Sequence, residues 1–133
     1  MDAQRIAIAQ NCLDGAHDNT MSFPDIVGKL IEAGFEGYAV DYRRKTTTYF
    51  LPDGDSVALD NMVPDSPIAA AFDSAGVAAQ VKWAQLNPPD YSYAAFCENV
   101  RTLGCAGYIV SFLGRRVVYY GRTAEIHTEH FPR

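Results

Sequence analysis

The feature that most constrains this chain is its likeness to itself seventy residues further on. Ser22 meets Ser92, Gly34 meets Gly104, Gly37 meets Gly107, Tyr38 meets Tyr108, Val40 meets Val110 and Tyr49 meets Tyr119, with no gap. Over residues 22–50 against 92–120, only about two matches are expected by chance at ordinary residue usage. The other pairs keep physical type where a core needs it: Phe23 with Tyr93, Ile26 with Phe96, Leu30 with Val100, Tyr42 with Phe112, Phe50 with Tyr120. Each copy carries an apolar helix stripe and an apolar strand face and cannot bury both alone, so the two must shelter each other. The fold expected is α+β. A duplicated helix–strand–strand unit, with copies at about 22–59 and 92–129, forms one antiparallel sheet with helices mostly on one face, in a single domain over 1–133.

Local signals fill in the unit. Asp2 caps a first helix over 3–14, with Gly15 as its stop. Ser22 and Asp25 form a capping box, Pro24 sits in the permissive first turn, and Phe23, Ile26, Val27, Leu30 and Ile31 make one stripe closed by Gly34. From Gly37 the period becomes two, with Tyr38, Val40 and Tyr42 on one face and Ala39, Asp41 and Arg43 on the other. A basic turn at Arg43-Arg44-Lys45 leads to a returning strand over 46–51, and Pro52-Asp53-Gly54-Asp55 to a third over 56–59. Between the copies, Pro64-Asp65-Ser66-Pro67 predicts a helix with Ile68, Ala71, Phe72 and Ala75 at helical spacing, then a second over 77–86 ended by Pro88-Pro89. Residues 64–87 are thus a helical connector.

Composition bounds the function. With 48% hydrophobic and 20% charged residues the chain is globular. It has no apolar run of the roughly 20 residues a bilayer span needs, and its start lacks a secretory build, so a cytoplasmic location and no membrane partner are expected. The net charge of −5 disfavours nucleic acid. Cys12, Cys97 and Cys105 have no zinc-like spacing and read as reduced, buried thiols.

Residues 23–54, FPDIVGKLIEAGFEGYAVDYRRKTTTYFLPDG, and 119–132, YYGRTAEIHTEHFP, resemble the YbcV-like family of uncharacterised bacterial proteins, sometimes labelled phage envelope protein. The resemblance covers nearly the whole chain. It implies a small α+β fold and brings no agreed activity, cofactor or catalytic residue; the label implies a structural, phage-related assembly role.

Three functional readings follow from the residues. The first is a non-enzymatic module holding a small molecule or anion in a groove between the copies, with Tyr38, Tyr108, Arg43, Arg122 and Asp41 as contacts. Arg43, Arg44 and Lys45 in one copy and Arg115 and Arg116 in the other would form an anion clamp if the pseudo-axis brought them together. Asp41, whose counterpart is Ser111, would need a partner such as Arg43 if buried. The second is a hydrolase-like or metal-dependent enzyme using His127 with Glu125 or Glu129, three residues on one face of an extended strand; His127 and His130 would converge as ligands only on a helix. The third is assembly, for example as a homodimer, through exposed strand edges. No cofactor is expected, since the chain has no Gly-rich phosphate loop, no nucleophile elbow and no paired Cys motif.

Overall fold

A computed structural model describes residues 1–63 and 65–132. Helices α1 (Ala3–Asp18) and α2 (Phe23–Glu32) precede strands β1 (Gly37–Asp41), β2 (Thr46–Phe50) and β3 (Ser56–Asp60). Helices α3 (Ser74–Leu86) and α4 (Tyr93–Thr102) precede β4 (Cys105–Ser111), β5 (Arg116–Gly121) and β6 (Ile126–His130). The strands form one antiparallel sheet in the order β3-β2-β1-β4-β5-β6. All four helices contribute to the core, which packs on the sheet face of Tyr38, Val40, Tyr49, Tyr108, Val110, Val117 and Tyr119. The fold is α+β, as expected.

The registers repeat at the seventy-residue offset. Tyr38 pairs with Tyr49 and Tyr108 with Tyr119; Tyr49 pairs with Val57 and Tyr119 with His127. At the centre β1 and β4 pair Tyr38 with Val110, Ala39 with Ile109 and Val40 with Tyr108, so exchanging the halves returns the same pairs. Left-handed backbone recurs at the same offset: φ is positive at Gly34 and Gly104, Lys45 and Arg115, and Gly54 and Ala124. Ser22 and Ser92 both cap their helices, accepting from Asp25 N and Ala95 N. Each half also holds a further helix, α1 or α3, so the structural unit is larger than the segments 22–59 and 92–129.

Two segments differ from the sequence expectation. Helix α1 runs through Gly15 and ends at Asn19, which adopts a left-handed φ of 58°. Gly15 is there for closeness: a Cβ would lie 2.7 Å from Met21 Cγ. The described connector residues before Ser74, 65–73, are not helical. Instead Ala69 N donates to Arg101 O (3.1 Å) and Asp73 N to Leu103 O (2.8 Å), and the chain closes the carbonyls that α4 leaves open at its end. Those long-range bonds outweigh the helical spacing of Ile68, Ala71 and Phe72. Asp73 then caps a single α3 through Gly76 N. Of the cap expected in Pro64-Asp65-Ser66-Pro67, Pro64 lies outside the described residues, and Asp65, Ser66 and Pro67 open no helix. No helix among them is long and apolar enough to cross a membrane.

Candidate functional site

The expected contacts do not gather in one place. Tyr38 and Tyr108 are 7% and 6% exposed, on the helix-covered face, with ring centroids 6.5 Å apart. Burial raises both phenols well above their ordinary range. They are core rings. Because β1 and β4 are antiparallel, the basic hairpin tips point to opposite ends of the sheet, so Arg43–Lys45 and Arg115–Arg116 form no clamp. The tips use their charges locally: Lys45 pairs with Asp65, and Arg115 Nη2 donates to Pro132 O at 3.0 Å. Arg122 Nη1 donates to Ile68 O at 3.1 Å. Asp41 is half-buried, and its Oδ1 accepts from Arg43 N (2.9 Å) and Arg44 N (3.1 Å), capping its own turn. Ser111 does the same through Gly114 N at 2.9 Å.

A concavity lies on the face without helices, mostly over β1–β3, with Ile109 and Tyr120 from the other half. Ala58, Thr48 and Ala39 stand side by side across β3, β2 and β1, and Ala39 faces its counterpart Ile109 on β4. These small side chains leave a trough of about 340 Å³, lined further by Phe50, Tyr120, Thr46, Asp41 and Arg44. Phe50 and Tyr120 are themselves counterparts. Tyr120 lies across Gly107, where a Cβ would collide with its hydroxyl. Burial raises the Tyr120 phenol, helped by Asp41 and opposed by Arg43. The trough therefore has an apolar floor and one polar end, marked by Asp41, Arg44 and the Tyr120 hydroxyl. A larger groove of about 560 Å³ separates α1 from α2, but Arg5 there is already engaged with Asp2 and with Ala33 O at 3.0 Å.

The tail places His127 and Glu129 together on the helix-covered side of β6, with Nε2 and Oε2 2.7 Å apart. The imidazole stacks on Tyr119 at 29°, and the side chains keep 19% and 29% exposure. In the other half the same positions hold Val57 and Leu59. Glu125 lies before β6 and is exposed, its carbonyl accepting from Gly121 N at 2.9 Å. His130 falls on the opposite face, since it is an odd number of residues from His127 on a strand. Among the described residues no three His, Cys, Asp or Glu gather as metal ligands.

One polar constellation escaped the sequence reading. His17 Nε2 meets Asn61 Oδ1 at 2.7 Å. Asn61 Nδ2 donates to Thr47 Oγ1 (3.1 Å) and the Tyr93 hydroxyl (3.3 Å), and Tyr93 meets the Tyr108 hydroxyl at 3.0 Å. This network seams α1, β2 and the end of β3 to α4 and β4. At the seventy-residue offset Asn61, Thr47 and Tyr93 correspond to Phe131, Val117 and Phe23, all apolar. Reading the repeat for its differences as well as its identities would have found it. The chain matches no family model and no curated protein.

Proposed function

We propose that this protein is a binding module that holds a small, flat, largely apolar molecule bearing a carboxylate or phosphate in the trough on the helix-free sheet face. The supporting observation is that counterpart residues, Ala39 with Ile109 and Phe50 with Tyr120, line one trough while its charged groups, Asp41 and Arg44, stand at one end. The apolar floor takes the ring, and Arg44 supplies a charge-assisted bond to the anion. Asp41 favours a ligand that also carries a hydroxyl or amide donor, and disfavours a dianion placed against it. The test is methyl NMR at Ala39, Ala58 and Ile109 during titration with benzoate, naphthoate and phenyl phosphate. Saturable shifts confined to the trough, weakened about tenfold or more in Arg44→Ala, support the reading. Flat titrations up to millimolar ligand overturn it.

The 2.7 Å His127–Glu129 contact favours a second reading, acid–base chemistry with Glu129 orienting the imidazole and Nδ1 left to exchange a proton. Activity on p-nitrophenyl esters or phosphates that disappears in His127→Gln and falls in Glu129→Gln, with the fold intact, supports it. Equal rates in wild type and both variants remove it.

A further inference from the structure

We propose that β3 is a self-pairing edge through which two copies of this chain join their sheets, antiparallel and centred on Ala58. The sheet ends at β3 and β6. Leu51 N donates to Asp55 O at 2.9 Å and Asn61 N to Lys45 O at 2.8 Å, bracketing β3. By the alternation of an antiparallel ladder, the backbone groups of Ser56, Ala58 and Asp60 therefore point away from β2. That edge reads Ser-Val-Ala-Leu-Asp, with no Lys, no Pro and no bulge in its register, and its one charge, Asp60, stands at the strand's end. The other edge, β6, reads Ile-His-Thr-Glu-His and carries a His–Glu pair where β3 has Val57 and Leu59, both half-buried.

The occupant is a second copy because the edge complements itself. With Ala58 opposite its twin, Val57 faces Leu59 and their partly exposed apolar surface is covered. Ser56 faces Asp60 as donor to acceptor, and Asp55 faces Asn61; no like charges oppose. Ala58 with its twin, and Ser56 with Asp60 on either side, are the outward-pointing pairs, so each exchanges N–H···O bonds across the twofold axis. A five-residue strand pair buries less than the roughly 1,200 Å² of a standard stable interface, so the dimer is a concentration-dependent one with a dissociation constant in the micromolar range or weaker. Pairing requires no ligand in the trough, and the two proposals fail separately.

Sedimentation velocity of the full chain from about 10 μM to 1 mM tests the proposal, with circular dichroism to confirm the fold. The expected result is reversible dimer formation. Ala58→Pro removes an N–H that β2 does not use, and Ala58→Lys sets two ammonium groups across the axis; each weakens association tenfold or more. Thr128→Lys, at the matching position of β6, leaves it unchanged. A monomer throughout the range overturns the proposal, as does a dimer that survives Ala58→Lys. So does a dimer that Thr128→Lys dissolves while Ala58→Lys spares it. Should Ala58→Pro unfold the chain, Ala58→Lys alone decides.

Discussion

Asn61 leaves β3 with its N–H on Lys45 O at 2.8 Å, and Phe131 leaves β6 with its N–H on Arg115 O at 2.8 Å. The backbones are counterparts, but the side chains solve the site in opposite ways. Asn61, 1% exposed, joins His17, Thr47 and Tyr93 by hydrogen bonds. Phe131 packs edge-to-face on Phe23, the counterpart of Tyr93, at 5.9 Å. One ladder of backbone bonds thus accepts either chemistry. The difference lies in how each fails, since an apolar contact loses strength in proportion to area, whereas a buried polar network leaves the direct partners of a removed member with unmade bonds.

The largest effect that sharpens this comparison is alkaline unfolding, because the two phenols of the polar seam, Tyr93 and Tyr108, are buried along with further tyrosines and cysteines. Desolvation pushes Cys97 up to about 11, Cys105 and Tyr91 to about 12, and Tyr42, Tyr93 and Tyr108 well above their ordinary value. In the unfolded chain the thiols ionise near pH 9 and the phenols near pH 10, while the folded chain keeps its protons. Stability is therefore fully present below about pH 9 and falls as pH rises, by up to about 1.4 kcal/mol per pH unit for each such group. Urea midpoints measured from pH 7 to 11 should drop steeply above 9. A flat profile would mean that the seam is wet.

Next in size, Asn61→Ala takes their partner from the Thr47 hydroxyl and His17 Nε2, leaves the Tyr93 hydroxyl with Tyr108 alone, and should lower stability by about 2–4 kcal/mol in urea unfolding. Copying the apolar solution breaks the comparison more directly. The triple variant Thr47→Val, Asn61→Phe, Tyr93→Phe should be more stable than Asn61→Phe alone, a favourable coupling that separate sites would not show. In the opposite direction, Phe131→Asn should cost about 1–2 kcal/mol, and adding Phe23→Tyr should recover part of it by rebuilding the amide–hydroxyl bond. Additive losses in both cycles would show that the two sites do not differ in kind.

What the sequence disclosed follows the range of the interactions involved. The caps at Asp2 and Ser22 and the period-two strands were legible because each rests on residues a few positions apart. The seventy-residue offset carried the hairpins and the α+β class across the chain, since identical punctuation at Gly34 and Gly104 marks identical geometry. The non-helical course of residues 65–73 was hidden, because its deciding partners, Arg101 O and Leu103 O, are thirty or so residues away. The trough was hidden for another reason. Ala39 and Asp41 were assigned to the face opposite Tyr38, but nothing local told which face the helices would leave bare. Placing Tyr38 and Tyr108 in a ligand groove followed from taking the covered face for the open one.

The smallest effect concerns the one pair that looked like a broken symmetry, Asp41 against Ser111. Both side chains accept from the backbone of their own hairpin turn, Asp41 from two N–H groups and Ser111 from one. The difference in residue type therefore preserves a function of the turn and need not signal a specialised site. Asp41→Ala should cost about 1 kcal/mol, Ser111→Ala about half that, and Asp41→Ser should be neutral to within about 0.5 kcal/mol. The serine variant also separates the two roles open to Asp41. It keeps the turn cap while removing the carboxylate from the polar end of the trough, so a change in anion binding with no change in urea midpoint would belong to the trough alone. Equal losses of stability in Asp41→Ser and Asp41→Ala would show that the carboxylate is held by something other than its own turn.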